Sequence, residues 1–514
     1  MIHSTWPPMA LALMIFGLAS CAGTPVAGGS HPARGGMGDP SLAAIQHIVV
    51  IYAENRSFDN LFGLFPGADG IANANPDSYI QRDRDGRVLE ALPPVWSGKP
   101  PRPDPGYPRR LANRPFRIDD PRGVDRPLDM PTRDLIHRFY QHQEQIDAGR
   151  LDQFAAVSDA GGLTMGYYDG SGLAVWKIAQ EFTLADHFFM AAFGGSFLNH
   201  FWLICACTPE FPDAPDDMRA RLDGAGHLVR KPTSPASALD GPPDLADGSV
   251  TPDGYAVNTV QPPYQPSGVP PDEDGDNRLS DPSKHPLPPQ HAKTIGDTLS
   301  AAGVSWVWYA GAWDAALADG MRAPSATRNV IYNTAEGSPD FQPHHQPFNY
   351  FAKYAPGTRE RAEHLKDGSE FVAAIERGLL PSVAFYKPQG NLNEHPGYTD
   401  VISGDAHIAR IVREIQAGPL WLSTVIIVTY DENGGFWDHV APPAGDRWGP
   451  GSRIPTIIVS PFARRHYVDH SSYDTTSILQ LITRRFGLEP LPGVRPNAGD
   501  LTNALELGAA PHGN

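Results

Sequence analysis

Two stretches of the sequence decide the fold: residues 47–63 read HIVVIYAENRSFDNLFG, and residues 424–439 read TVIIVTYDENGGFWDH. Each begins with a run of apolar, mostly β-branched side chains, which is typical of a strand that is buried on both faces. Each run ends in acidic side chains, at Glu54 in the first stretch and at Asp431 and Glu432 in the second. Buried strands of this kind indicate a sheet that is covered on both sides.

The same kind of apolar run recurs along the chain, and helical patterns separate the runs. Further strands are predicted at residues 304–309, 382–386 and 454–460, and helices near residues 292–302, 361–377, 405–417 and 475–486. This alternation predicts the α/β class, with a central, mainly parallel β-sheet flanked by helices. Residues 209–289 are dense in Pro, Gly and Asp, and we expect them to form an ordered, loop-rich insertion with a short hairpin.

Length and charge exclude several classes of protein. The chain has 514 residues, of which 41% are hydrophobic and 19% are charged, and this excludes a disordered polymer, a fibre or a small disulfide scaffold. Its 41 Lys and Arg residues against 58 Asp and Glu residues give a net charge of −17. Because the phosphate backbone of a nucleic acid requires a basic surface, we expect no nucleic-acid binding.

The amino-terminal residues have the pattern of an export signal. Residues 9–20 (MALALMIFGLAS) are an apolar run that is too short to span a bilayer. The run leads into LASC, which resembles a bacterial lipobox, in which the cysteine, here Cys21, becomes the lipid-modified first residue. We therefore predict a signal peptide at residues 1–20 and a flexible tether at residues 21–45. The alternative is ordinary cleavage near Ala22, with Cys21 incidental.

The two remaining cysteines are Cys205 and Cys207. They are too few and too close in sequence for a disulfide framework, even in an oxidising compartment. We expect them to be small buried side chains. Their spacing also matches no zinc site.

Acidic side chains at the ends of two predicted strands indicate a metal site. In open α/β sheets, ligands bind at the carboxyl ends of the strands, so side chains at two such ends can converge although they are distant in sequence. The residues concerned are Glu54, Asn55, Asp431 and Glu432. Their oxygen atoms suit a divalent cation of the Mg, Ca or Mn class. Two alternatives stay open, because Asn55 or Ser57 would cap the following helix and DENGG is also an ordinary turn composition.

Ser196 is a candidate nucleophile. It lies in residues 193–200 (FGGSFLNH), at a small-residue turn that leads into a helix-like segment and can present a hydroxyl to a ligand. The elbow motif of α/β-hydrolases, G-x-S-x-G, is not matched, because Leu198 stands in the place of its last glycine, and this disfavours a lipase. The alternative role for Ser196 is a helix cap.

Histidines in loops between strands are a second source of chemistry. Such residues are well placed to donate a proton or to hold an anion, whereas most histidines are surface or core groups. Of the 19 histidines, the candidates are His137, His344, His345, His395 and His439.

The two strand-end signatures resemble those of the bacterial phosphoesterase family, which holds phosphocholine-type phospholipases C and secreted acid phosphatases. Further segments resemble the acid-phosphatase branch, among them FGGSFLNHFWLICAC, HHQPFNYFAKYAPGT and FYKPQGNLNEHPGY. The resemblance runs from about residue 45 to residue 490. It implies an alkaline-phosphatase-like α/β sandwich, with one phosphoesterase catalytic domain over residues 46–505 that carries the insertion at residues 209–289.

The resemblance also implies roles for individual residues. One divalent metal ion would bind at the carboxyl edge of the sheet, with Ser196 beside it as the nucleophile and the ligands Glu54, Asn55, Asp431 and Glu432. The phosphate would be surrounded by His137, His395 and one of His344 and His345.

These residue types predict a mechanism. The metal would lower the pKa of the Ser196 hydroxyl, and in-line attack would give a phosphoserine intermediate. Protonated His137, His345 and His395 would neutralise the phosphoryl oxygens, and we expect His395 to protonate the leaving alkoxide. Because these histidines must be protonated near their ordinary pKa of about 6.5, an acidic optimum is expected.

The leading prediction for function is a metal-dependent acid phosphatase that hydrolyses small phosphate monoesters. The nearest alternative is a phospholipase C that cleaves phosphocholine-type lipids, for which a choline cage could be formed, unless they are core residues, by Trp306, Trp308, Tyr309 and Trp313. The alternative from another class is a non-enzymatic surface lipoprotein that binds metal or phosphate. We expect an exported protein of the bacterial cell envelope, periplasmic or at the surface, that meets the membrane only through lipid on Cys21, or else a secreted one.

Cys21→Ser tests the anchor. If Cys21 is acylated, the parent protein fractionates with membranes and the variant does not, because two or more buried acyl chains hold a protein far more firmly than one. Membrane fractionation with immunoblotting measures the difference. Identical partitioning of the two proteins contradicts the lipoprotein prediction.

Overall fold

An eight-stranded sheet lies at the centre of the computed structural model, which describes residues 38–335 and 337–507. The strands in the described residues are β1 (His47–Ala53), β2 (Trp96–Ser97), β3 (Arg102–Pro103), β4 (Phe116–Arg117), β5 (Gly166–Tyr167), β6 (Thr183–Ala185), β7 (Phe188–Phe189), β8 (Trp306–Ala310), β9 (Leu365–Asp367), β10 (Val383–Lys387), β11 (Thr424–Tyr430), β12 (Thr456–Val459), β13 (Tyr467–Asp469) and β14 (Tyr473–Asp474). The central sheet has the order β13-β6-β12-β11-β1-β10-β8-β9. Within it, β12 is antiparallel to β11 and β6, and the other described neighbours pair in parallel.

Helices cover both faces of this sheet. The helices in the described residues are α1 (Phe58–Phe62), α2 (Pro76–Tyr79), α3 (Phe139–Ile146), α4 (Phe154–Val157), α5 (Ala174–Glu181), α6 (Ser196–Cys205), α7 (Ile295–Ala301), α8 (Trp313–Gly320), α9 (Arg359–His364), α10 (Gly368–Arg377), α11 (Val401–Ala417) and α12 (Thr475–Phe486). Side chains alternate between faces along a strand. On β8, Trp306 packs on Gly296 of α7, whereas Tyr309 contacts Phe371 of α10. The predicted α/β class with a mainly parallel sheet is therefore confirmed.

Most of the predicted elements form close to their predicted positions. The five predicted strands correspond to β1, β8, β10, β11 and β12, and three of the predicted helices correspond to α7, α11 and α12. The helix predicted at residues 361–377 is wrong as a single element. Its pattern is divided among α9, β9 and α10, because Leu365–Asp367 pairs with β8 at the edge of the sheet and interrupts the helix.

The insertion at residues 209–289 is ordered mainly by hydrogen bonds rather than by long elements. The Arg84 guanidinium donates to the carbonyls of Pro235 at 2.8 Å and Gly241 at 2.7 Å. Leu222 and Leu228 form an antiparallel bridge, and Val250 and Ala256 form another, so this segment has short hairpin-like turns. Val250 of the insertion is fully buried in the main apolar core.

Cys205 and Cys207 form a disulfide, so the prediction of two unlinked buried side chains is wrong. The left-handed backbone of Ala206 at the end of α6 turns the chain so that the two residues meet. Cys21, the signal peptide at residues 1–20 and most of the tether lie outside the described residues and stay predictions. Among the helices that the structure describes, none combines the length and the apolar character needed to cross a membrane.

A buried charge cluster joins α1 to the segment before β12. The fully buried Arg453 donates to Asp438 Oδ1 at 2.8 Å and to Asp59 Oδ1 at 3.3 Å. His439 Nδ1 lies 2.7 Å from Asp59 Oδ2. Burial acts to lower the pKa of His439, but the hydrogen bond and charge of Asp59 outweigh it and raise this pKa to about 9. The candidate His439 thus belongs to an ion-paired cluster.

Arg453→Met tests this cluster. The change leaves Asp59 and Asp438 buried without their guanidinium partner, and it should lower the free energy of unfolding by about 3–5 kcal/mol. Urea denaturation at neutral pH measures the loss. The control is Arg410→Met, which removes an exposed ion pair with Glu414 and should cost less than about 1 kcal/mol. Equal losses in the two variants would contradict the structural role of Arg453.

Candidate active site

Three neighbouring strands deliver the polar side chains of the candidate site. β1 lies between β10 and β11, and all three are parallel. Their carboxyl ends therefore meet at one edge of the sheet, where ligands bind in open α/β folds. The residues that end these strands or follow them are Glu54, Asn55, Lys387, Asp431 and Glu432.

Ser196 is the first residue of α6, and its side chain lies among these strand ends. Its Oγ is 3.2 Å from Asn55 Oδ1 and 3.4 Å from Glu432 Oε1, within reach to donate a hydrogen bond to either. Gly195 is the N-cap of α6, and no described side chain caps that end. The alternative role of Ser196 as a helix cap is therefore wrong.

The backbone around DENGG approaches the site segments closely. Asn55 has a left-handed backbone with φ of 60°, which asparagine tolerates better than most residues. A Cβ on Gly434 would lie 2.3 Å from the Asn55 carbonyl oxygen, and one on Gly435 would lie 2.6 Å from that of Ile136. The two glycines thus place Asn55 and the segment before His137. Asn55 does not serve as a cap, whereas Ser57 is the N-cap of α1.

Two oxygen pairs of the site, both formed by Ser196 Oγ, have the spacing of neighbouring ligands of one cation. Ligands at right angles around Mg²⁺ or Ca²⁺ lie about 3.0–3.4 Å apart, given bond lengths of about 2.1–2.4 Å. The two Ser196 separations are 3.2 and 3.4 Å. Asp431 Oδ2 is buried and accepts no hydrogen bond from any residue that the structure describes. This donor set fits a hard divalent cation.

Burial concentrates negative charge in this site. Burial and the charge of Asp431 raise the pKa of Glu432 to about 8, against the opposing charge of His137. Burial and Glu54 also raise the pKa of Asp431. Burial acts in the same direction on Glu54, but His345 and Lys387 hold the pKa of that carboxyl well below its usual range. A bound cation would favour the ionised forms of all three acids.

Lys387 is a site residue that sequence reasoning missed. Its fully buried ammonium lies 2.8 Å from Glu54 Oε1 and 3.5 Å from Asp431 Oδ2. A signal was present, because the lysine directly follows the predicted apolar strand at residues 382–386. The reasoning that selected Glu54 from the end of its strand applies equally to this position.

His344 and His345 both lie at the site. His345 Nε2 contacts Glu54 Oε1, and the two histidine rings have centroids 4.9 Å apart. Glu54, His344 and His345 each offer a ligand atom, and these atoms lie within 4.8 Å of one another. Burial lowers the pKa of His345 to about 4 and that of His344 well below its usual range. These shifts disfavour the protonated form that the mechanism predicts for His345, and its role stays a prediction.

His137 and His395 stand together at the rim of the site. Their ring centroids are 5.8 Å apart, and His137 Nε2 lies 3.7 Å from Glu432 Oε1. Burial acts to lower the pKa of His137, but Glu432 and Asp134 outweigh it and raise this pKa to about 9. This shift favours the protonated form that the mechanism predicts for His137, and its role stays a prediction. His395 Nε2 lies 3.8 Å from Glu54 Oε2.

Two further residues support the site and had no signal in the sequence. The Tyr398 hydroxyl donates to Glu54 Oε2 at 3.0 Å. His142 Nδ1 accepts a hydrogen bond from the backbone N–H of Gly194 at 3.1 Å, which holds the turn before Ser196. Neither contact could be found without the positions of distant segments.

The aromatic residues considered for a choline cage are core residues. Trp306 and Trp308 are 2% and 0% exposed, and the rings of Trp308 and Phe385 stack with centroids 5.4 Å apart. Tyr309 and Trp313 are also buried. The cage alternative is wrong, because strand β8 turns the first three rings into the two faces of the sheet and Trp313 is buried at the start of α8.

A model of the phosphoesterase family matches residues 45–489 of this chain. The chain belongs to the phosphoesterase family. The resemblance seen in the two strand-end signatures is thereby confirmed. This phosphoesterase is a hydrolase that acts on phosphoric ester bonds, and its described residues include groups that could hold a metal ion.

Several curated proteins and solved structures are similar to this phosphoesterase. Phospholipase C B of Mycobacterium tuberculosis is 25% identical over 511 residues, which cover 92% of this chain and 79% of that protein. Non-hemolytic phospholipase C of Burkholderia pseudomallei is 24% identical over 513 residues, which cover 92% of this chain and 60% of that protein. A solved structure of an alkaline phosphatase superfamily protein from Vibrio parahaemolyticus is 10% identical, with a TM-score of 0.30, and the match covers 73% of this chain and 72% of that one.

Asp431→Asn tests the metal site of the phosphoesterase. The backbone N–H groups of Asn55 and Glu432 donate to Asp431 Oδ1, and the amide oxygen of the variant can still accept these hydrogen bonds. Because the variant lacks the negative charge, divalent metal should bind at least about 100-fold more weakly. Metal content after dialysis and chelator titration of activity measure this loss. The control is Asp134→Asn, because Asp134 belongs to a separate possible group with His137 and His395. Metal that is retained in Asp431→Asn and lost in Asp134→Asn would move the site to that second group.

Proposed function

We propose that this phosphoesterase hydrolyses phosphoesters through Ser196 as a covalent nucleophile, with phospholipase C-type diesters as its substrates. One observation carries the proposal. The Ser196 Oγ lies among the oxygen atoms of the strand ends, 3.2 Å from Asn55 Oδ1, and has no capping role that would account for its position. A binding protein would have no need of a nucleophile at that point.

The metal-holding residues in this proposal are Glu54, Asn55, Asp431, Glu432 and Ser196. A divalent ion held there would lower the pKa of the Ser196 hydroxyl and balance charge on the phosphoryl group. Ser196 Oγ attacks the phosphorus in line, so that the Oγ–P bond forms as the bond to the ester oxygen breaks. With a diester, Ser196 then carries a phosphodiester that keeps the second substituent, and with a monoester it carries phosphoserine. Water hydrolyses this intermediate, releases the phosphorylated product and restores the hydroxyl.

The histidines divide the remaining tasks. Protonated His137 lies on the Glu432 side of Ser196, where it can neutralise a phosphoryl oxygen. The N-terminus of α6 adds backbone N–H groups for the same anion, because Ser196 is its first residue. His395, close to the rim, would give its proton to the leaving alkoxide. Burial lowers the pKa of His344 and of His345, which favours their neutral forms, so in this proposal they orient groups rather than neutralise charge.

The choice of a diester rests on the relatives. The curated proteins that match over most of this chain carry the name phospholipase C, so they favour the alternative prediction over the leading prediction of an acid phosphatase. Monoester hydrolysis is the second candidate, and a specific observation favours it. A phosphate monoester brings a dianion, and the partly buried His137, with its pKa raised to about 9, favours a positive charge beside Glu432, which Ser196 also approaches.

We further propose that the enzyme acts outside the cytoplasm, with lipid on Cys21 as its only link to a membrane. Two features support export: the apolar run at residues 9–20 and the disulfide between Cys205 and Cys207. Disulfides persist in oxidising compartments and are rare in the cytosol. In this proposal one catalytic domain spans residues 46–505 and binds no nucleic acid.

Ser196→Ala tests the nucleophile. The variant should fold and bind metal and vanadate, yet lose at least about 1,000-fold in turnover, because water must replace an oriented oxygen. Ser57→Ala is the matched control, since Ser57 is a buried serine that caps α1. It should lose about 0.5–2 kcal/mol of stability and little turnover. Acid quench of the parent enzyme should trap phosphorylcholine from the diester, or phosphate from the monoester, on the peptide that contains Ser196.

The same experiment decides the substrate class. Turnover of p-nitrophenyl phosphorylcholine and of p-nitrophenyl phosphate is compared between about pH 5 and pH 8, with release of diacylglycerol from phosphatidylcholine as the lipid readout. The proposal expects the diester to be preferred. A preference for the monoester supports the acid phosphatase instead. Near-parental turnover of Ser196→Ala, together with no phosphoryl group trapped on Ser196 of the parent from either substrate, removes the covalent mechanism.

A further inference from the structure

Lys387 is the one ammonium placed among the carboxylates of the candidate site in the described residues. It ends strand β10 and is fully buried. Besides Glu54 and Asp431, its Nζ lies 3.4 Å from the carbonyl oxygen of Ala53 and 5.2 Å from the centre of the Tyr52 ring. Oxygen atoms and a π face thus surround the ammonium, as they would a bound cation.

Next to Lys387 lies a set of side chains that could hold a second metal. Glu54, His344 and His345 offer ligand atoms within 4.8 Å of one another, and all three residues are buried. His344 Nδ1 is buried and has no hydrogen-bond partner among the residues that the structure describes. Two imidazoles and one carboxylate are typical ligands of zinc. This set shares Glu54 with the oxygen site described above.

We propose that Lys387 occupies the place of a second cation, so that the phosphoesterase binds one divalent metal ion and the set of Glu54, His344 and His345 stays free of metal. The inference rests on the proposed metal site of the enzyme. In this proposal, Lys387 limits the number of metal ions that bind at this edge of the sheet.

Charge balance supports this assignment. Glu54, Asp431 and Glu432 are buried carboxylates with three negative charges when ionised. Lys387 lies beside Glu54 and Asp431, and His137 lies beside Glu432. Together with these groups, one divalent ion suffices to compensate the three charges, as burial of charged groups requires. A second divalent ion would add two positive charges to a site that is already compensated.

Geometry supports it as well. Lys387 Nζ lies 2.8 Å from Glu54 Oε1, the atom that His345 also contacts. A second ion bound to Glu54 would therefore meet the ammonium at short range, where like charges in a poorly solvated interior repel strongly. Removal of the ammonium should open the set to metal.

Metal stoichiometry tests the proposal. The parent and its variants are dialysed against Zn²⁺, freed of excess ion, and analysed for metal per chain by mass spectrometry. The parent should bind one ion and Lys387→Ala two. Lys387→Arg, which keeps the charge, should bind one. The double variant Lys387→Ala, His344→Ala should return to one, which excludes zinc on surface histidines as the source of the gain.

Each result decides between the possibilities. Two ions in the parent, or none, overturn the proposal without any variant, so it can fail even if Lys387→Ala does not fold. One ion in a folded Lys387→Ala, verified by its thermal unfolding transition, overturns it too. One ion in the parent without Ser196-dependent hydrolysis contradicts the proposed function and leaves the role of Lys387 standing. Two ions in the parent together with hydrolysis that depends on Ser196 would contradict the role of Lys387 and leave the proposed function standing.

Discussion

Negative charge buried at the carboxyl edge of β1, β10 and β11 is the constraint on which the rest of the site depends. Three carboxylates that are inaccessible to solvent cannot all ionise without compensation, because burial of charge is costly. The fold supplies the compensation from several directions. Lys387 approaches along β10, His137 lies beside Glu432, and the N-terminus of α6 faces the same point. Chemistry at this edge follows from the remaining imbalance.

A second buried cluster shows what a balanced arrangement looks like. Arg453 is paired with Asp438 and Asp59, and His439 completes the set with hydrogen bonds of its own. The residue types resemble those of the candidate active site. The two clusters differ in their hydrogen bonds, because Asp431 Oδ2 in the active site accepts none from the described residues and has the Lys387 ammonium only at 3.5 Å. A cluster whose hydrogen bonds are complete stabilises the fold, whereas one with buried groups that lack hydrogen bonds is suited to bind a ligand.

The amino-acid sequence by itself determined the α/β class and the edge of the sheet that holds the site. Strands buried on both faces must be apolar throughout, so each run is visible in the sequence and each ends where polar residues begin. Parallel strands then bring those ends together, and Glu54 meets Asp431 for that reason alone. Ser196 could be selected from its turn, although its two possible roles predicted different surroundings.

Only the tertiary structure decided how the groups at that edge are charged and joined. His345 and His137 have the same side chain, yet one has a pKa of about 4 and the other of about 9, because a pKa depends on burial and on neighbours from distant segments. Contact with a distant segment also explains the divided helix, because Leu365–Asp367 pairs with β8 and interrupts a continuous helical pattern. Sequence patterns record which side of an element is apolar. They do not record which charges meet across the fold, and these contacts set the chemistry of the site.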